Sequence, residues 1–185
     1  MTIAIREGTI DDAAPIARVQ VATWRSAYVG IFPADYLEGL NDIRVAVGWA
    51  ETLERPGFLT LVAEDDALER EAVVGFVHGG PSDTRGVAEV YTFYILATHQ
   101  RRGIGRRLLA AAARGLADRY AALVIRALVE NAPARAFYAR MGGIEGDTRR
   151  LRVGGREIDE IAYDWPDLPA LAAHLAEPPL DGARP

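Results

Sequence analysis

Residues 98–120 read THQRRGIGRRLLAAAARGLADRY, and this stretch decides the fold because it joins a strand to a helix through glycines. Upstream, residues 87–96 are rich in β-branched and aromatic side chains, which predicts a strand. Downstream, apolar side chains recur at the spacing of one helical face, at Ile104, Leu108, Leu109, Ala112 and Leu116. The stretch therefore predicts a helix that begins at a glycine directly after a strand.

The turn between the strand and the helix is Gln100-Arg101-Arg102-Gly103-Ile104-Gly105. The first amides of a helix have no partner inside the helix, and glycine lets a ligand approach the backbone. The helix dipole also favours anions at this end, so the turn is suited to a pyrophosphate group. Four cations surround it, Arg101, Arg102, Arg106 and Arg107. They are suited to binding phosphate, and the alternative is a solvated basic start of a helix.

Further elements follow on both sides of this unit. Before it we expect a strand at 3–6, a helix to about Tyr28, short helices at 33–40 and 43–53, and antiparallel strands at 58–63 and 72–77. A loop is expected at 79–83 because it contains two glycines and a proline. After it we expect a strand at 123–129, a helix from Asn131, a hairpin of 144–152 with 156–163, and a short helix before a disordered end.

This order predicts an α/β fold with a mixed, mostly antiparallel central sheet of about seven strands and helices on both faces. The run 123–129 is nearly continuous in apolar residues, which is typical of a strand covered on both faces and reached by a parallel crossover. Alternation along 87–96 predicts that Glu89, Tyr91, Phe93 and Ile95 share one face of their strand. We expect one domain at residues 1–166 and a C-terminal tail at 167–185.

Composition narrows the function classes. The net charge of −5 gives no global support for a nucleic-acid partner, and the absence of cysteine excludes disulfides and thiolate chemistry. His78, His99 and His174 are too far apart in sequence to form a local metal site, so we expect no metal. No apolar run is long enough to span a bilayer, and the N-terminus does not resemble a secretion signal. We therefore expect a cytoplasmic protein with no membrane partner.

Two motifs resemble the GNAT superfamily of acyl-coenzyme A N-acyltransferases. Gln100 to Gly105 fits the family's signature Gln/Arg-x-x-Gly-x-Gly/Ala between a strand and a helix. Residues 131–143, NAPARAFYARMGG, are similar to its second signature, in which an asparagine precedes a Phe-Tyr pair and a glycine turn. The likeness covers about residues 3 to 165, since the expected order of strands and the terminal hairpin match as well.

The resemblance implies acetyl-coenzyme A as the acyl donor. It places the pyrophosphate on the amides of residues 102–106, and the pantetheine arm along the backbone of residues 94–96. The implied cofactor-binding residues are Tyr94, Ile95, Leu96, Gln100, Arg101, Arg102, Gly103, Ile104, Gly105, Arg106, Asn131 and Arg135. An N–H near Ile95 would polarise the thioester carbonyl. Tyr138 would protonate the leaving thiolate as general acid, and its alternative is a packed helix aromatic.

The amine acceptor needs a base. Glu89 is our candidate because it is an acid within an apolar strand, where burial would raise its pKa, although a solvated glutamate is the alternative. His78 is the rival base, or else a hydrogen-bonded structural histidine.

Trp24 and Tyr28 resemble the first-helix region that covers the acceptor in this family, and Tyr91 shares the predicted face of Glu89. All three are candidate substrate-binding residues, and core packing is the alternative for the aromatic pair.

We therefore expect an N-acetyltransferase that transfers an acetyl or short acyl group to a primary amine on a small molecule or a peptide. A homodimer is possible for such a fold.

Two alternatives stay open. One is a non-catalytic acyl-coenzyme A sensor. The other is a dinucleotide-binding oxidoreductase domain, in which Glu130 lies at about the ~20-residue separation of a ribose-binding acid, but Leu108 occupies the third glycine position.

Overall fold

The structure is a computed structural model that describes residues 2–68 and 72–176. Its strands are β1 (Ile3–Glu7), β2 (Leu59–Asp65), β3 (Val73–Pro81), β4 (Val87–Ile95), β5 (Ala122–Leu128), β6 (Ile144–Val153) and β7 (Arg156–Trp165). Its helices are α1 (Ala13–Ala27), α2 (Ala34–Glu38), α3 (Asp42–Leu53), α4 (Ile104–Ala117), α5 (Ala132–Arg140) and α6 (Leu168–Ala176). Short 3₁₀ turns precede α1 and follow β4.

The seven strands form one sheet in the order β1-β2-β3-β4-β5-β7-β6. Neighbouring strands are antiparallel except β4 and β5, which are parallel and joined by the crossover helix α4. The predicted mixed, mostly antiparallel sheet is confirmed. A dinucleotide-binding fold needs a series of parallel βαβ units, whereas the described residues contain a single parallel pair.

Helices cover both faces of this sheet. On one face, α4 and α6 pack on β3, β4 and β5 through a cluster that includes Leu108, Leu116, Ile125 and Leu168. Each such side chain, fully buried, stabilises the fold by about 1.5–3 kcal/mol. On the other face, α1 and α3 pack on β2 and β3. The expected short helix after Trp165 is present as α6, whereas the expected disordered end at 177–185 lies outside the described residues.

A β-bulge at Tyr91 changes the faces of β4. Thr92 is paired with His78, but the next pair along β3 joins Gly79 to Val90, so Tyr91 has no partner on β3. Val90 and Phe93 consequently face the same side, toward α4. The predicted alternation was therefore wrong, because the extra residue reverses the pleat in the middle of the strand.

The expected loop at 79–83 was also partly wrong, since β3 continues to Pro81. Gly79 lies next to the bulge, where a Cβ would come within 2.8 Å of the carbonyl oxygen of Glu89. The glycine therefore allows a close strand approach rather than a turn.

A third cluster covers the far end of β5 and β7. It contains Tyr28, Phe32, Leu37, Leu128 and Ile158, from the end of α1, α2 and the two strands. This arrangement places the α1–α2 segment above the region where β4 and β5 diverge.

Candidate active site

A gap opens in the middle of the sheet, between β4 and β5. The two strands pair only over residues 87–90 of β4. Beyond this, β4 stays paired with β3 as far as Ile95, and β5 stays paired with β7 as far as Leu128. The edge of β4 that faces β5 is therefore left without a strand partner past Val90. An extended ligand can pair with such an edge as an additional strand.

The glycine turn follows directly at the end of β4. Arg101 and Gly103 both have left-handed backbones, with φ of 60° and 77°. Gly103 is the N-cap of α4, and the amide of Arg107 is the one that bonds back to its carbonyl. The amides of residues 104–106 therefore open the helix without an intrahelical acceptor. A Cβ on Gly103 would have no atom within 4 Å, so the turn faces open space.

Two neighbours hold this turn in place. The side-chain amide of Gln100 donates a hydrogen bond to the carbonyl oxygen of Ile95 at 3.0 Å, which joins the turn to the end of β4. Gly105 lies against α5, because a Cβ there would meet the ring of Phe137 at 3.2 Å. Gln100 and Gly105 therefore position the backbone amides of the turn beside the open edge of β4.

The four cations near the turn differ in their partners. Arg107 donates to the carbonyl oxygen of Ile3 at 2.7 Å. This hydrogen bond fixes α4 to β1, so the side chain of Arg107 has a structural role. Arg106 donates to the carbonyl oxygen of His174 at 3.5 Å. Arg101 and Arg102 are exposed on the turn.

Tyr138 lies on α5, on the α4 side of the gap. Its side chain is 6% exposed and packs against Phe93, Phe137, Tyr163 and Trp165. Burial, followed by the nearby Tyr94, raises the pKa of Tyr138 well above the ordinary tyrosine value. The hydroxyl therefore keeps its proton at neutral pH, which is the state that a general acid needs.

The structure gives two of the predicted cofactor-binding residues other partners. Asn131 is the N-cap of α5, and its Oδ1 accepts a hydrogen bond from the amide of Ala134 at 3.2 Å. Arg135 bonds to the carbonyl of Val129, the hydroxyl of Tyr163 and the carboxylate of Glu145. Both side chains thus stabilise α5 and its contact with the terminal hairpin, and their binding to a cofactor stays a prediction.

Glu89 lies on the face of the sheet opposite to Tyr138. It is half-buried, and its neighbours Ala88 and Val90 point into the α4 core, so Glu89 points toward the side of α1 and α3. Burial raises the pKa of Glu89, although Arg149 and Arg126 oppose that shift. A reacting group that contacts both Glu89 and Tyr138 has to lie in the gap between β4 and β5.

His78 is buried on β3. The hydroxyl of Thr60 lies 2.8 Å from its Nδ1, and its ring stacks on Phe58 with centroids 5.3 Å apart. Burial, followed by the charge of Arg55, lowers the pKa of His78 to about 4. The imidazole is therefore neutral at neutral pH and only a weak base.

An open cleft of about 590 Å³ lies beside the bulge, on the α3 side of the sheet. We call it the α3–β4 cleft, and its lining includes Trp49, Arg55, Phe58, His78, Tyr91 and Thr92. Tyr91 is 44% exposed there, and its hydroxyl donates to the carbonyl of Pro81. Tyr91 and His78 were predicted from the sequence as candidate site residues, whereas the other lining residues were not. The close occurrence of Trp49, Arg55 and Phe58 was the available signal.

Trp24 and Tyr28 lie away from this cleft. They form an aromatic cluster with Phe32, Tyr36 and Tyr94, in which the centroids of Tyr28 and Phe32 are 4.6 Å apart. Tyr28 is 8% exposed, and burial raises its pKa strongly. The pair therefore packs over the end of β4, and direct contact with an acceptor stays a prediction.

Neither a metal site nor a membrane span is indicated by the part of the chain that the structure describes. Within residues 2–68 and 72–176, His, Asp and Glu side chains do not come together in threes or larger groups suited to a metal ion. No helix in those ranges combines the length and the apolar character needed to cross a membrane.

Comparisons with known proteins identify relatives of this chain. The sequence model of the acetyltransferase (GNAT) family matches residues 21–143. The uncharacterized N-acetyltransferase YuaI of Bacillus subtilis (strain 168) is 33% identical over 176 residues, which cover 94% of this chain and 98% of that relative.

Solved structures share the same fold. The PaiA N-acetyltransferase from Thermoplasma acidophilum, in complex with coenzyme A, has a TM-score of 0.66 at 19% identity, covering 87% of this chain and 98% of that one. YncA from Salmonella typhimurium, solved with its cofactor acetyl-CoA, has a TM-score of 0.68 at 19% identity, covering 91% and 95%.

Proposed function

The chain belongs to the acetyltransferase (GNAT) family, and we propose that it transfers an acetyl or another short acyl group from acetyl-coenzyme A to a primary amine. One observation carries this proposal. The unpartnered edge of β4 leads directly into a glycine turn whose amides open α4, and Tyr138 lies beside the same gap. A long donor with a pyrophosphate at one end and a thioester at the other fits this arrangement.

The glycine turn would bind the pyrophosphate. The backbone amides of residues 102–106 and the positive end of the α4 dipole meet at a turn where Gly103 faces open space, which favours an anion. Arg101 and Arg102 lie on the turn and add positive charge. Gln100 supports this binding by fixing the turn to Ile95. Acetyl-coenzyme A supplies the activated thioester, and these residues hold it.

The open edge of β4 would hold the pantetheine arm. Backbone groups at Tyr94, Ile95 and Leu96 are positioned to pair with its amides as a strand would. An N–H near Ile95 would donate to the thioester oxygen and stabilise the negative charge that develops when the amine attacks.

Proton transfer involves two side chains on opposite faces of the sheet. Glu89, directly or through water, would accept the proton that the attacking nitrogen loses, because its raised pKa makes it a better base than an ordinary glutamate. Tyr138 would donate its proton to the departing thiolate, because its own raised pKa keeps it protonated until then. The products are an amide and a free thiol; Glu89 then releases its proton to solvent, and Tyr138 recovers one from solvent.

The first test is calorimetric titration with acetyl-coenzyme A, with NADH as the control ligand. We expect micromolar binding of the thioester and none of NADH. Binding of NADH alone would reject the proposal in favour of the dinucleotide alternative. Turnover with a broad amine panel then separates an enzyme from a sensor, since a sensor binds acetyl-coenzyme A without consuming it.

Gly103→Ala tests the pyrophosphate site, with Gly86→Ala as the matched control. Both glycines have φ near +80°, and a Cβ on either meets no atom within 4 Å. Each variant should therefore lose about 1–2 kcal/mol of stability through left-handed strain. Only Gly103→Ala should weaken acetyl-coenzyme A binding, because only that Cβ would intrude on the donor. Equal affinity in both folded variants would contradict the assignment.

The cytoplasmic location, the homodimer and the identity of the acyl group stay predictions. An aqueous compartment that contains acetyl-coenzyme A is what the proposed reaction requires.

A further inference from the structure

The α3–β4 cleft is a cavity that the proposed binding of the acyl donor does not use. Its volume of about 590 Å³ lies in the range of small-molecule sites, which is roughly 300–1,000 Å³. It lies on the same side of the sheet as Glu89, and the bulge at Tyr91 turns the side chains of Tyr91 and Thr92 toward it. The cleft therefore lies on the same face as the candidate base and outside the turn assigned to the donor.

The side chains that line the cleft are largely apolar, and a cation lies at one side of it. Trp49, Phe58 and Tyr91 supply aromatic surface, while no Asp or Glu is among its lining residues. The guanidinium of Arg55 lies 4.5 Å from the centre of the Phe58 ring and forms no ion pair with any described residue. Stacking on the ring holds this guanidinium in one orientation, so less freedom is lost when it binds an anion.

Two polar groups in the cleft lack partners. The hydroxyl oxygen of Thr92 is buried and makes no hydrogen bond within residues 2–68 and 72–176. His78 uses Nδ1 for Thr60, and its Nε2 makes no hydrogen bond within the same ranges. A buried hydroxyl without a partner costs stability, which is expected where a ligand supplies the missing bond.

Building on the proposed function, we propose that the α3–β4 cleft binds the body of the acceptor, and that this acceptor is a primary amine carrying an anionic group on an apolar body. The amine points toward Glu89. The apolar body contacts Trp49 and Tyr91. The anionic group, a carboxylate or another acid of similar size, binds Arg55.

Matched pairs of acceptors test this specificity. One pair is 4-(aminomethyl)benzoate and benzylamine, and the other is phenylalanine and phenethylamine. The two members of each pair differ only by a carboxylate. With saturating acetyl-coenzyme A, we expect at least one acid to exceed its partner without the carboxylate by about fivefold in kcat/KM, as for an exposed ion pair. Equal or lower kcat/KM for every acid, in an enzyme that acetylates the amines, would overturn the inference and leave the proposed function intact.

Arg55→Gln identifies the side chain responsible, with Arg44→Gln as the control. Arg44 belongs to α3 but does not line the cleft, and both substitutions remove one positive charge. Arg55→Gln should remove the preference for the acid, through KM rather than kcat, while Arg44→Gln keeps it. Loss of the preference in both variants would show a general charge effect and would overturn the site.

Thr92→Val separates ligand binding from folding. Replacing an unpartnered buried hydroxyl with a methyl group should leave the melting temperature unchanged or higher. The KM for the acid should rise severalfold, whereas acetyl-coenzyme A affinity stays the same. An unchanged KM would contradict a role for Thr92 in the cleft.

Equilibrium binding keeps the test independent of turnover. Calorimetry of the protein loaded with coenzyme A, titrated with each member of a pair, should show tighter binding of the acid. No difference between the members overturns the inference whether or not turnover occurs. Failure to bind or use acetyl-coenzyme A would instead reject the proposed function, and the acceptor role would fall with it.

Discussion

Tyr138 combines a retained proton with a place beside the gap. Its ring is buried among Phe93, Tyr163 and Trp165, and burial raises its pKa. A phenol in this state is protonated at neutral pH, so it holds a proton that it can give to the departing thiolate. The packing that resembles an ordinary core position therefore also keeps Tyr138 in the protonated state that a general acid needs.

We expect Tyr138→Phe to reduce kcat by about 10²-fold or more while acetyl-coenzyme A affinity and melting temperature stay close to those of the parent. Tyr163→Phe is the control, since its hydroxyl donates to Glu145 at 2.7 Å and supports the hairpin. That variant should lose stability but keep its rate. A parent-like kcat for Tyr138→Phe, measured by release of free thiol, would remove the acid role.

The two candidate bases differ in the pH at which they lose their proton-accepting form. Burial raises the pKa of Glu89, whereas burial and Arg55 lower the pKa of His78 to about 4. A base works only when deprotonated, so kcat should fall as pH decreases through the pKa of the group involved. We expect the fall above the ordinary glutamate range, and Glu89→Gln should abolish it. A fall near pH 4 that survives Glu89→Gln would assign the base to His78 instead.

At the scale of elements, α4 and α5 both begin at the gap, but they begin differently. Gly103 caps α4 with backbone alone, which leaves its first amides to a ligand. Asn131 caps α5 with its side chain, so one of the first amides of α5 is satisfied internally. The two helix starts therefore predict that an anion binds at α4 rather than at α5.

Substitutions at Asn131 can separate capping from ligand binding. Asn131→Ala should cost about 1 kcal/mol of unfolding free energy because the cap is lost. Asn131→Asp keeps an oxygen for the amide of Ala134 and should keep most of the stability. Denaturant unfolding and acetyl-coenzyme A titration of both variants give the result. Weaker donor binding by both Asn131→Asp and Asn131→Ala would indicate that the amide NH₂ contacts the donor, and unchanged binding would leave Asn131 with a capping role alone.

At the scale of the whole molecule, α6 completes the core on the α4 side. Leu168 is fully buried, and Leu171 and Leu175 join the same cluster as α4, β4 and β5. The segment expected as a tail thus contributes a packed helix up to Ala176, and the division of the chain at residue 166 stays a prediction. Smaller side chains at these positions of α6 should weaken the packing against α4. The position of the glycine turn, which begins α4, should change as a result.

We expect Leu168→Ala to destabilise the protein by about 2–5 kcal/mol because a cavity forms in a fully packed core. Val47→Ala, at a site that is 62% exposed on α3, is the control and should change stability by less than about 0.5 kcal/mol. Thermal or urea unfolding measures both. A loss below about 1 kcal/mol for Leu168→Ala would mean that α6 does not belong to the cooperative core.

Patterns confined to one segment were sufficient to predict much of this protein. Helical spacing in 104–117, the glycines of the turn and the order of strands and helices are properties of neighbouring residues. They indicated the mixed sheet, the family and the helix start at Gly103 before any contact was known. Asn131 as a helix cap follows from the same local chemistry.

Only the tertiary structure decided how these segments meet. The bulge at Tyr91 depends on the register between β3 and β4, and one extra residue reverses the face of every side chain beyond it. The α3–β4 cleft is built from parts of α3, β3 and β4 that lie far apart in sequence. The partners of Arg107 and Arg135 are likewise set by packing between elements. Long-range contacts of this kind leave no periodic trace in the chain, because each depends on which strands pair and in what register.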